Sequence, residues 1–157
     1  MAVRPVPEGY HSATPYLICK GAAAIDYYTK VFGATELMRH PGPDGSVGHA
    51  EIKIGDSVIM LADEFPELKF VSPKTIGGTA VGMMLYVADV DAVFKRALAA
   101  GGTQHQPLED KFYGDRSGSL IDPFGHMWTV STHTEDVAPE EMERRAAAAT
   151  KQMKETG

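Results

Sequence analysis

Two residues invite a chemical reading first. His49 and Glu51 are two apart in a segment that alternates like a strand, so both side chains fall on one face. Such a pair can orient a ligand, carry out general acid–base chemistry if burial tunes a pKa, or simply bind each other. A second group, Tyr113, Asp115 and Arg116, lies at the entry to a later hairpin. The Arg116 guanidinium offers a planar fork to a substrate carboxylate or phosphate; its structural alternative is an ion pair with Asp115 or Glu51. The six histidines, at 11, 40, 49, 105, 126 and 133, make no HxH, HxxxH or HExxH pattern. Cys19 is the sole cysteine, so neither an internal disulfide nor a CxxC site is available. Nucleophile elbows, Walker loops and dinucleotide fingerprints are absent as well.

These residues need strands and helices to hold them, and the chain supplies both twice. An apolar stripe at Ala24, Ile25, Tyr28, Val31 and Phe32 predicts a helix over 22–32 that stops at Gly33. A second stripe, Val90 to Leu98, follows the N-cap candidate Asp89 and stops at Gly101. Thr14–Ile18 reads as a strand before the first helix, and Gly82–Tyr86 as its counterpart before the second. Three strands follow each helix: 35–40, 49–54 and 58–61 in the first half, then 103–107, 117–121 and 127–130. The chain is therefore expected to be an α+β domain over 1–157 built from two tandem βαβββ modules. Module one covers about 12–64 and module two about 81–134, with a linker at 65–80 and a C-terminal helix at about 139–154.

Hydrophobic residues make up 43% of the 157 and charged residues 23%, which is globular rather than disordered composition. The formal charge of −6 argues against a non-specific grip on nucleic-acid phosphates. No apolar run approaches a membrane span, and the first residues lack the pattern of a secretory signal. The expectation is a cytoplasmic protein with a small-molecule partner and neither nucleic acid nor membrane.

Three segments carry a family resemblance: AIDYYTKVFGATEL (24–37), GHAEIKIGDSVIMLADE (48–64) and YGDRSGSLIDPFGHMWTVSTH (113–133). Together they resemble the vicinal oxygen chelate superfamily, which contains glyoxalase I, bleomycin- and fosfomycin-resistance proteins and extradiol dioxygenases, and in particular its PhnB-like branch. The resemblance implies curled mixed sheets forming a cup with helices outside, commonly in a homodimer. It also implies metal ligands from the first and fourth strands of each module, and those positions fall on Thr14, Met60, Gly82 and Thr129. None is a competent ligand for a divalent ion, so no metal and no cofactor are expected. Parity then turns Tyr16, Val58, Met84, Tyr86 and Met127 inward with them. A lining of methionines and tyrosines suits a planar or aromatic organic ligand. The expected ligand-binding set is Thr14, Tyr16, His49, Glu51, Met60, Met84, Tyr86, Tyr113, Arg116, Met127 and Thr129. The leading expectation is a ligand-sequestering protein similar in architecture to the resistance proteins. Its alternatives are a metal-dependent or acid–base lyase, isomerase or dioxygenase of the glyoxalase type, with Glu51 and His49 as the catalytic residues of the acid–base form, and a non-catalytic structural or regulatory dimer.

Overall fold

The computed structural model describes residues 3–19 and 23–156. In chain order the strands are β1 (Tyr16–Ile18), β2 (Thr35–Pro41), β3 (Val47–Ile54), β4 (Ser57–Ala62), β5 (Gly82–Tyr86), β6 (Thr103–Asp110), β7 (Asp115–Ile121) and β8 (Met127–His133). The helices are α1 (Ala23–Phe32), α2 (Pro73–Ile76), α3 (Val90–Ala99) and α4 (Pro139–Thr156). Ala22, where the first helix was expected to start, lies outside the described residues. The eight strands make two four-stranded mixed sheets, ordered β1-β4-β3-β2 and β5-β8-β7-β6. In each, the first strand runs parallel to the fourth and the other pairings are antiparallel. This is the βαβββ unit twice over, followed by a C-terminal helix.

The chain divides into two compact units. Unit one runs to Ala80 and takes in Pro123–His126; unit two runs from Val81 to Asp122 and resumes at Met127. In unit one the core gathers Ile25, Tyr28 and Val31 of α1 with Ile52 and Leu61 of the sheet, all nearly inaccessible. Each such side chain contributes about 1.5–3 kcal/mol through burial. The turn Pro123–His126 joins this core from far along the sequence. The Phe124 ring meets Tyr27 and Tyr28 at centroid distances of 5.9 and 6.1 Å, edge to face. His126 Nε2 lies 2.9 Å from the Ile18 carbonyl oxygen, and His126 is buried. Gly125 makes the turn possible: its φ is +93°, and a β-carbon there would lie 2.9 Å from Pro73 Cβ.

In unit two α3 packs on β6, β7 and β8, burying Val90, Phe94 and Ala97 with Leu120, Trp128 and Val130. Asp89 caps α3, its Oδ1 accepting the Ala92 amide at 3.0 Å. Trp128 is almost fully buried in this core, and its indole N–H donates to Asp122 at 2.9 Å. The linker is more ordered than a plain loop. It holds a short hairpin bridging Phe65 and Phe70, a 3₁₀ turn at Pro66–Leu68 and then α2.

Candidate functional site

Alternation along β3 separates two populations. Ala50, Ile52 and Ile54 are buried against the helix-packed side, while His49 and Glu51 project from the other. The register places Glu51 beside Met60 of β4, and Met60 beside Tyr16 of β1, so these three form one row across sheet one. His49 stands next to it, with His40 of β2 directly opposite.

Polar atoms along this face are chained. The Tyr10 hydroxyl donates to Glu51 Oε2 in a short hydrogen bond. Glu51 Oε1 lies 3.2 Å from His49 Nε2, and His49 Nδ1 lies 2.8 Å from the Tyr16 hydroxyl. One imidazole tautomer satisfies every contact: Nε2–H donates to the carboxylate and Nδ1 accepts from Tyr16. The Tyr10 hydrogen bond is the main reason the Glu51 carboxyl is held below its ordinary range, with His49 adding to it against the opposing effect of burial. The Tyr10 phenol is raised by the same bond, and the Tyr16 phenol by burial and then by the Glu51 charge.

Beyond Tyr16, the linker hairpin closes a pocket of about 170 Å³. Phe65 and Phe70 exchange backbone hydrogen bonds of 2.8 and 3.1 Å, which stand Phe65, Leu68 and Phe70 over the edge strand β1. The Phe70 ring is nearly parallel to that of Tyr16, with an interplanar angle of 13° and centroids 6.4 Å apart. Asp63 lines the pocket too, and its Oδ2 accepts the Val47 amide at 2.6 Å.

Unit two carries a different polar face. Asp115, Ser117 and Ser119 alternate along β7 and are all buried. Ser131 Oγ donates to Ser117 Oγ at 2.6 Å, and the Ser119 and Thr129 hydroxyls meet at 2.8 Å. Asp115 accepts the Tyr86 hydroxyl at 2.9 Å on Oδ2 and sits 2.7 Å from His133 Nδ1 through Oδ1. His133 Nε2 then reaches Asp136 at 3.0 Å. The imidazole pKa is raised, by Asp115 first and Asp136 second.

The structure thus brings Tyr16, His49, Glu51 and Met60 together, and separately Met84, Tyr86 and Thr129, which share the Asp115 face of sheet two. Met127 pairs with Gly82 at the other end of β5. Tyr113 lies in the β6–β7 turn, edge-on to Phe112. Thr14 precedes β1, because Pro15 has no amide to add to the ladder. Arg116 is placed elsewhere. It follows Asp115 directly, so it faces the α3 side, where Nε and one terminal nitrogen each bond Asp91 at 2.8 Å. Its other terminal nitrogen bonds Asp110 at 3.1 Å, so the fork is filled by partners other than those the sequence suggested. Tyr10, His133 and the serine ladder carry no site expectation from the sequence. Alternation could have flagged the serines; nothing local points Tyr10 at a carboxylate 41 positions away.

The family is settled by comparison. The model of the Glyoxalase/Bleomycin resistance protein/Dioxygenase superfamily matches residues 16–130, and the chain belongs to that superfamily. Among curated proteins it is 45% identical over 134 residues to the uncharacterized protein Rv0887c of Mycobacterium tuberculosis, covering 83% of this chain and 79% of that one. Its fold resembles a PhnB protein from Bacillus cereus, with a TM-score of 0.61, 21% identity and coverage of 78% and 99%. It also resembles the fosfomycin resistance protein FosX from Listeria monocytogenes, in a structure containing Mn(II) and sulfate, with a TM-score of 0.60, 17% identity and coverage of 83% and 95%.

The metal that such resemblance implies does not fit the residues here. Its positions offer a thioether at Met60, hydroxyls at Thr14 and Thr129, and no side chain at Gly82. The Thr129 hydroxyl is already bonded to Ser119. Among the described residues no group of three or more His, Cys, Asp or Glu is arranged to hold an ion.

Proposed function

We propose that the chain binds a small planar or aromatic organic molecule on the open face of unit one, without a divalent metal. The observation that carries this reading is the hydrogen-bonded row Tyr10–Glu51–His49–Tyr16 beside a pocket walled by Tyr16 and Phe70. Apolar walls with a few convergent polar groups are the usual form of a small-molecule site. Met60 and the aromatic rings supply adaptable apolar surface, and His49 and Glu51 fix orientation. Orientation suits Glu51 better than proton abstraction. A general base works best with a pKa near the working pH, and the Tyr10 hydrogen bond moves this carboxyl the other way.

Thermal unfolding with a panel of planar aromatic compounds tests the reading. At a ligand concentration of about a hundred times Kd, Tm should rise by roughly 5–10 °C. The rise should persist in EDTA and disappear in Tyr16→Ala. A panel without any effect, or stabilisation that EDTA abolishes, would overturn it.

A further inference from the structure

In the row Tyr10–Glu51–His49–Tyr16 every side-chain hydrogen is already engaged. Glu51, held as the carboxylate at neutral pH by Tyr10 and His49, can only accept. The Tyr10 hydroxyl gives its hydrogen to Glu51 Oε2. His49 Nε2, 3.2 Å from Glu51 Oε1, carries the hydrogen of the neutral imidazole, which leaves a lone pair on Nδ1. The Tyr16 hydroxyl, 2.8 Å from Nδ1, therefore donates to it. What the row has left to offer is oxygen lone pairs. We infer that the site reads its ligand as a hydrogen-bond donor: an aromatic molecule of the indole, arylamine or phenol class that gives an N–H or O–H hydrogen to the Tyr16 oxygen. This rests on the reading above and names the ligand class for the same site.

Exposure decides which oxygen a ligand meets. Tyr16 is 47% exposed and Glu51 6%, so the phenol oxygen is within reach and the carboxylate is not. The same tyrosine is a wall of the pocket, whereas Tyr10 does not line it. A hydroxyl that donates along a hydrogen-bonded chain becomes a better acceptor itself, and this chain ends on a carboxylate. A ligand N–H or O–H would extend that chain. A carbonyl or ether oxygen in the same place would set lone pair against lone pair and lose its bonds to water without replacement.

Donors elsewhere on sheet one are placed away from this point. Lys53 shares the face of Glu51, but its partner on β4 is Val58, at the far side of Met60 from the pocket residues Ile18 and Ala62. His40 stands opposite His49 on β2, the edge strand farthest from β1. Arg39 pairs with Ala50, so alternation puts it on the helix-packed side, where it binds Glu36 through two bonds of 2.9 and 2.7 Å. Size agrees with an aromatic ligand: a cavity of about 150 Å³ holds benzene, so 170 Å³ accommodates a ring.

Calorimetric titration of the full chain with indole and benzofuran tests the inference, because the two share a shape and differ by an N–H donor against an oxygen acceptor. Indole should bind about three- to tenfold tighter. Tyr16→Phe keeps the ring and removes the oxygen, so the ratio should fall close to one. His49→Phe takes away Nδ1 and releases the Tyr16 hydrogen; the ratio should fall there too, and benzofuran should gain in affinity over the parent chain. Equal affinities in the parent chain, or tighter binding of benzofuran, would sink the donor preference while leaving the aromatic-binding reading standing. So would a ratio unmoved in both variants. Failure of both probes to bind would remove both readings.

Discussion

Tyr10 and Glu51 show how one hydroxyl can set the charge of a site. The phenol donates to a carboxylate that burial alone would push up, and the result is a carboxyl held down. Tyr10→Phe should therefore let the Glu51 pKa rise, an effect visible in carboxyl-carbon NMR titration; an unchanged value would assign the shift to His49 instead. Because the folded pKa lies below the unfolded one, the Glu51 contribution to stability is complete above the ordinary value of about 4.3 and is lost as pH falls through the folded value. His133 has the opposite sign. Its folded pKa is raised by Asp115 and Asp136, so its contribution is complete below about 6.5 and is lost as pH rises through the raised value. Asp115→Asn removes the main cause. The imidazole protons of His133 should then titrate at lower pH than in the parent protein, and an equal or higher midpoint would contradict the assignment.

Strands and helices decide which of these residues can meet. The β5 bounds read from the sequence are the observed ones, and α3 starts after its Asp89 cap, because capping and alternation are local signals. The same alternation sets His49 and Glu51, which bond each other, apart from Ala50 and Ile52. It also sets Asp115 and Arg116, adjacent in sequence, on opposite sides of β7, so they do not form one cluster. The aromatic pocket was not legible, since it depends on a hairpin inside a proline-rich linker whose side chains find β1 only through tertiary contact. Backbone crowding can be tested at Gly114, in the turn before β7. Its carbonyl accepts the Thr134 and Glu135 amides at 2.8 and 3.0 Å, and its φ is +94°. A β-carbon would collide with the Glu135 carbonyl oxygen and lie 3.0 Å from Val137 Cγ2. Gly114→Ala should cost about 1–3 kcal/mol or more in urea unfolding, whereas an unperturbed midpoint would mean that the 134–137 segment can move aside freely.

At the scale of the whole molecule, two native reporters sit in different units. Cys19, fully buried, belongs to unit one and Trp128 to unit two; each is the only residue of its type. The turn Pro123–His126 links β7 to β8 of sheet two yet belongs to unit one. Losing unit one frees that turn and with it the connection between the two central strands of the other sheet. Thiol labelling of Cys19 and fluorescence of Trp128 should therefore report the same urea midpoint. Two separate midpoints would show the units melting independently.

That borrowed turn also sets a schedule for the nascent chain. Every strand of sheet one has been synthesised by Ala62, yet Phe124 and His126 come much later. From Val81 to His126 the ribosome must add roughly 46 residues, about two to nine seconds of translation at ~5–20 residues per second. Until then the Tyr27 and Tyr28 rings wait without the Phe124 ring that meets them edge-on. The first half of this protein emerges early and is finished late, so a chaperone holding it through that interval would meet an aromatic core still short of one ring.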